Sequence, residues 1–229
     1  MARRTLSTFT PLWDRHKRLY SEVFSTALLE LSEMDSVSGD EDAISERLYL
    51  SLNNVCFAIG KSRNQDVQTP NWENPIPPVA INELKGGKSS KRPDFTCKCL
   101  NPWAESSENH EISLHVECKR LGEKTSSTWI LNENYVKNGV KRFDSKTHQY
   151  GKRARSGIMI GYIISMSPKT IEAEVNSYQK NHLPDNSNIN FEFNSSLIFK
   201  TSQKIKRKNV QPIQFDLIHL WIDLRGCYY

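Results

Sequence analysis

No stretch of this sequence is apolar for long enough to span a bilayer. The longest such runs, Gly157 to Met166 and Phe215 to Leu224, reach only about half of the roughly 20 residues a transmembrane helix needs. No apolar segment follows Arg3 and Arg4 before Pro11 and Trp13, which argues against a secretory leader. Cysteine is scarce and odd in number, five in 229 residues. That favours free thiols in a reducing, cytoplasmic setting over a disulfide framework. Glycine and proline, ten of each, are too few for a fibrous or low-complexity chain, and no internal repeat is present. Neither sign of charge dominates: 31 Lys and Arg against 26 Asp and Glu leave +5, a mild lean toward a polyanionic partner.

What is present points to a folded domain. Hydrophobic residues at 37% and aromatic residues at 10% can build a core, which a disordered chain cannot. The length suits one domain over 1–229 with insertions. Leu19, Val23, Ala27 and Leu31 recur at helical spacing and predict a helix over 13–34. A second begins near Ser38, where Ser38 and Glu41 have capping-box spacing, and Ile44, Leu48, Leu52, Val55 and Ile59 form its apolar stripe. Gly60 is the expected stop. From 61 to 91 periodicity gives way to a loop marked by Pro70, Pro75, Pro77, Pro78, Gly86 and Gly87, with room for a short strand at Val79 to Ile81.

Beyond it the pattern predicts strands over Arg92 to Leu100 and Ile112 to Arg120. A helix is expected over Thr128 to Lys146, with Asn132, Val136, Val140 and Phe143 on one face, then a strand from Ser156 to Met166. Pro168 opens a further helix to Lys180. Strands at Ser196 to Lys200 and Phe215 to Leu224 flank the basic run Lys204 to Lys208. This order implies an α/β fold with a mixed central sheet flanked by helices.

Three stretches carry an acid two residues before a lysine: Glu83–Lys85, Glu117–Lys119 and Asp144–Lys146. Context separates them, because only Glu117 and Lys119 lie in a strand, where side chains two apart share a face. Ile112, Leu114, Val116 and Cys118 then face a core, while His115, Glu117 and Lys119 face the other way. Asp94, behind Pro93, stands at the start of the preceding strand, where a proline needs no ladder donor. Two carboxylates and a lysine on adjacent strands suit phosphodiester hydrolysis. Asp94 and Glu117 would offer hard oxygen ligands to Mg²⁺ or Mn²⁺, and Lys119 would orient or help deprotonate the attacking water and offset developing charge.

Pro93–Asp94, a gap of 22 residues, then Glu117–Cys118–Lys119 resembles the motif of the PD-(D/E)xK nuclease superfamily of restriction endonucleases, junction resolvases and phage-defence nucleases. The likeness covers roughly Ser38 to Tyr162. The run Asn134 to Phe143, with Tyr150 and Gly161–Tyr162, resembles defence-associated members. The resemblance implies a restriction-endonuclease-like fold and a Mg²⁺-dependent nuclease, with DNA favoured, acting in bacterial antiviral defence. It also implies a further metal-proximal acid from the preceding helix. At about 100° per residue, Glu41 falls within the apolar stripe and Glu46 opposite, so Glu41 is the candidate, in competition with its capping role. No separate specificity domain is discernible, so a partner subunit or a second copy is expected to supply targeting.

Simpler readings stand beside these. Asp94, Glu117 and Lys119 could form a surface ion-pair ladder, or belong to a catalytically inactive binding or assembly subunit on a nuclease fold. Cys97, Cys99 and Cys118 with His110 or His115 suggest a metal knuckle, yet the three cysteines share the apolar face and suit core filling better. His115 suits a satisfied strand histidine better than a phosphate contact. Lys141, Arg142, Lys152, Arg153 and Arg155 are candidate phosphate contacts, in competition with a merely solvated face. Lys204, Lys206, Arg207 and Lys208 form a second basic run.

Overall fold

The computed structural model describes residues 6–78 and 91–229, with side chains from Thr10 onward. Helix α1 (Leu6–Ser32) buries Val23, Ala27 and Leu31 as the spacing predicts. It starts upstream of Trp13 and runs through Pro11, whose fixed φ suits a helix and whose missing N–H removes one bond near its beginning. The cap of α2 (Glu41–Arg63) is Asp40, whose side chain accepts from the Ala43 N–H at 3.1 Å. The Ser38–Glu41 capping box therefore does not form, and the Glu41 carboxylate is released for other partners. Ile44, Leu48, Leu52 and Val55 are buried along α2, with Ile59 partly so. Gly60 does not end this helix. It continues to Arg63, and Asn64 closes it in the left-handed region at φ 49°, a conformation that asparagine tolerates.

Among the described residues six strands form one mixed sheet in the order β1-β2-β3-β4-β6-β5. They are β1 (Asn71–Trp72), β2 (Phe95–Leu100), β3 (Glu111–Leu121), β4 (Ser156–Ile163), β5 (Ile198–Lys206) and β6 (Gln214–Asp223). β3, β4 and β6 run parallel, while β1 with β2, β2 with β3 and β5 with β6 are antiparallel. The 61–91 loop thus contributes a two-residue edge strand at Asn71–Trp72; the strand expected at 79–81 and the Glu83–Lys85 match lie outside the described residues. β5 extends well past Lys200 and absorbs Lys204 and Lys206.

The expected 128–146 helix is shorter and irregular. It opens as α3 (Leu131–Asn134), becomes π-helical over Tyr135–Gly139 and tightens to a 3₁₀ turn over Val140–Asp144. The buried residues keep the predicted face: Asn132, Val136, Val140 and Phe143. Asn132 Nδ2 donates to Glu174 of helix α4 (Pro168–His182) at 2.9 Å. Among the described residues no helix is long and apolar enough to cross a membrane.

Helices cover both faces of the sheet. On one, Trp13 donates to Ser156 Oγ at 3.0 Å, Phe24 meets Phe95 edge-on, and Ser45 bonds the Tyr162 hydroxyl at 3.2 Å. On the other, Phe143 packs over Gly157 and Gln203 donates to Gln179 of α4 at 3.0 Å. Consequently β3 is buried on both sides. The face that carries Glu117 and Lys119 is not open, because the 135–151 segment lies across it. Glu117 is 0% and Lys119 7% exposed, so a surface ion-pair ladder does not describe them.

Candidate active site

Period-two geometry sends Glu117 and Lys119 to the same face of β3. Phe95 pairs with Val116, which brings Asp94 beside Glu117 and Cys118 although it lies one residue before β2. Asp94 Oδ2 accepts the Cys118 N–H at 2.5 Å. Lys119 Nζ stands 2.7 Å from Glu117 Oε1 and 2.5 Å from Glu41 Oε1, and donates to the Cys118 carbonyl at 2.6 Å. Glu41 Oε2 accepts from the Arg120 N–H at 3.2 Å. The four candidate residues therefore meet, and Glu41 reaches the cluster from the first turn of α2 because Asp40 does the capping.

A fifth residue joins them. Arg142, expected only as a phosphate contact, donates to Glu117 Oε1. It is carried there by the irregular helical segment, in which Gly139 lets the backbone lie directly on Lys119. A Cβ at Gly139 would stand 2.6 Å from Met159 Cε and 3.3 Å from Lys119 Cγ, and the residue's φ of −115° and ψ of −88° are non-helical. The spacing of Asn134, Asn138 and Arg142 at four-residue intervals is the sequence signal that would have placed this face over the site.

Three carboxylates facing two cations leave the cluster rich in negative charge. Burial, and then the neighbouring Asp94, push the Glu117 carboxyl up to about 8 against the pull of Lys119 and Arg142. Burial likewise pushes Asp94 up to about 6, with Lys119 its main opponent. Burial alone would lower Lys119, but Glu117, Asp94 and Glu41 outweigh it and hold the ammonium above its ordinary range. Lys119 is thus a protonated donor at neutral pH, which supports the orienting and charge-compensating role and not the abstraction of a proton.

Of the buried side-chain atoms without a partner among the described residues, one belongs to this cluster. Glu117 Oε2 is buried without a hydrogen-bond partner, a condition that costs about 1–3 kcal/mol and more for a charged group unless a ligand meets it. Among the described residues no group of three or more His, Cys, Asp or Glu stands ready to hold a metal, so the donors do not fit a closed protein cage. They do fit Mg²⁺, which keeps several waters and takes one or two carboxylates. Asp94 and Glu117, with its unspent oxygen, are the two carboxylates that could hold such an ion. Both Glu41 oxygens are already engaged, so in this arrangement Glu41 positions Lys119. A cleft of about 440 Å³ opens onto the cluster, lined by Glu41, Lys119, Arg120, Trp129, Asn138 and Arg142 among others.

The remaining candidates lie elsewhere. Asp144 accepts the Lys208 N–H at 2.9 Å and the Asn209 N–H at 2.7 Å, a loop clasp unconnected to Glu117. His115 is buried, accepts the Gly151 N–H at 2.9 Å, and is lowered to about 4 by burial. Cys97, Cys99 and Cys118 are buried free thiols in the core. Lys141 lines a different cleft beside His182 and Lys208. Arg153 bonds the Glu108 carbonyl at 2.9 Å and Arg155 the Thr10 hydroxyl at 3.0 Å, near the beginning of β3 and away from Lys119. Arg207, from the second basic run, is buried and donates to the carbonyls of Phe143, Tyr150, Gly151, Ala154 and Pro212. It holds the 143–154 segment in place and is not a surface contact. No family model matches the chain, and no curated protein and no solved structure matches it.

Proposed function

We propose that this protein is a Mg²⁺-dependent nuclease of restriction-endonuclease-like fold that hydrolyses phosphodiester bonds, with DNA the favoured substrate and bacterial defence the favoured setting. The observation that carries the reading is the buried Glu117 Oε2, unpartnered beside Asp94 and within the reach of a protonated Lys119. Asp94 and Glu117 would hold the divalent ion, which when bound supplies Lewis-acid polarisation and a nucleophilic water at neutral pH. Glu41 aims the Lys119 ammonium. Lys119 then orients the water and stabilises charge that develops on the phosphate, the electrostatic term that usually dominates such catalysis. Arg142 keeps Glu117 Oε1 fixed so that Oε2 points away from it.

A second reading has its own support. The carboxylates already have cationic partners in Lys119 and Arg142, as they would in an inactive nuclease-fold subunit. Incubating the purified protein with plasmid and single-stranded DNA in Mg²⁺ separates the two. Cleavage should be abolished by EDTA and reduced by orders of magnitude in Lys119→Ala, far more than oligonucleotide affinity in EDTA falls. Lys146→Ala, from the Asp144–Lys146 match, should cleave normally. No cleavage by the parent protein, or equal cleavage by a folded Lys119→Ala, overturns the nuclease reading.

A further inference from the structure

The cleft over the acidic cluster has one wall that phosphodiester hydrolysis does not require. Trp129 lines it and is 51% exposed, although an indole gains by burial and this one has a core close at hand. Its position is built. The Trp129 N–H bonds Ser126 Oγ at 3.0 Å, its carbonyl accepts the Thr125 N–H at 3.1 Å, and the Thr125 hydroxyl donates to that same carbonyl at 3.4 Å. The turn thus fixes the backbone of a half-exposed tryptophan that lines the cleft. In the same cleft Asn138 Nδ2 donates to Asn134 Oδ1 at 2.5 Å, which leaves the Asn138 oxygen, its second N–H and the Asn134 NH₂ group for a polar edge. Lys119, Arg120 and Arg142 line the same cleft and are the cations that would meet a phosphate there, beside Asp40, Glu41 and Asp42, which line it too.

A flat apolar face, amide groups and cations in one cleft match the three parts of a nucleotide: base, base edge and phosphate. We propose that Trp129 is a stacking platform for an unpaired nucleobase next to the phosphate presented to Lys119. The substrate class is therefore nucleic acid with an unstacked nucleotide at the cleavage position, such as a single strand, flap or frayed end, and not continuous duplex. A paired base cannot lie on the indole without leaving its own stack, whereas base–aromatic stacking accepts any base. This rests on the nuclease reading for its substrate but not for its test.

The test is binding without turnover. Fluorescein-labelled single-stranded and duplex oligonucleotides are titrated against the whole protein in EDTA, where no cleavage occurs. Single strands should bind tighter than duplex. Trp129→Ala should weaken the single strand about ten- to a hundredfold, as loss of one stacked base does, and Trp129→Phe should recover most of it. The ring is half-exposed and its turn is held by backbone bonds, so both variants should melt like the parent. Scanning one abasic nucleotide along the strand should find a position that weakens the parent and leaves Trp129→Ala unaffected. Single-strand affinity within twofold of the parent in Trp129→Ala, or preference for duplex, overturns the platform even if Mg²⁺-dependent cleavage is found. Loss of affinity without any cleavage would sustain the platform and remove the nuclease reading.

Discussion

Glu117→Gln should stabilise the metal-free protein while abolishing cleavage, and the stabilisation should grow with pH. The sign follows from linkage. Folding raises the Glu117 carboxyl from 4.5 to about 8, so its contribution to stability is full below about pH 4.5 and is lost as pH rises through about 8. Glutamine keeps the shape and an acceptor for Lys119 and Arg142 but does not titrate. Between pH 5 and pH 8 the parent should therefore lose roughly 3 kcal/mol relative to the variant, at about 1.4 kcal/mol per tenfold. For a protein of this size that is roughly 6–12 °C in Tm. The assay is thermal unfolding of both proteins in EDTA at half-unit pH steps, with Tm of variant minus parent as readout. Added Mg²⁺ should raise the parent at pH 8 and leave the variant unmoved, since only the parent carries the charged oxygen that needs a cation. A difference that is flat with pH, or a variant that grows less stable toward pH 8, would refute the reasoning. The ion pairs of Glu117 with Lys119 and Arg142 would then outweigh its burial, and the cluster would be structural.

Other outcomes follow from the same geometry. The rate of cleavage should rise with pH through about 6–8, as Asp94 and Glu117 lose their protons, and the midpoint should move down as Mg²⁺ is raised because metal and proton compete; a midpoint insensitive to Mg²⁺ would separate these acids from the metal. Gly139→Ala places a methyl against Met159 and the Lys119 stem and should cost about 1–3 kcal/mol together with most of the cleavage rate, read by Tm and by initial rates; unchanged rates would show that Lys119 tolerates displacement. Arg153→Ala with Arg155→Ala should weaken binding alike across sequences and flatten its salt dependence if these residues touch phosphate, and a parent-like slope in salt titrations would return them to their contacts with Glu108 and Thr10.

Much of the fold was legible because its elements are strongly periodic. The α2 stripe, the apolar face of β3 and the buried face of the 131–144 segment are set by spacing alone, and the mixed sheet follows from their order. Boundaries were less legible where two residues could do one job. Ser38 and Asp40 both suit a helix cap, and the choice falls to Asp40 by local backbone geometry that no pattern carries. Gly60 and Asn64 compete for the helix end in the same way. The irregular helix was illegible for another reason. Asn132, Val136, Val140 and Phe143 fit an α-helix adequately, and the π turn arises only where Gly139 must approach Met159 and Lys119.

At the site, strand alternation was enough to pair Glu117 with Lys119, and helix phase was enough to prefer Glu41 to Glu46, because both are short-range consequences of repeat geometry. Arg142 was legible only as a positive charge. Whether a cation contacts phosphate or anchors a carboxylate depends on what folds back over the sheet, which is a long-range fact. Burial of β3 on both faces is the same kind of fact, and it decides the chemistry. On an open face Glu117 and Asp94 would titrate as ordinary carboxylates and Lys119 would be one more solvated amine. Covered by the 135–151 segment, the acids are driven toward neutrality, the lysine is held charged, and Glu117 Oε2 has no hydrogen-bond partner among the described residues. The residues that carry the motif were readable from sequence; the enclosure that shifts their protonation belongs to residues outside the motif, Gly139 and Arg142 above all.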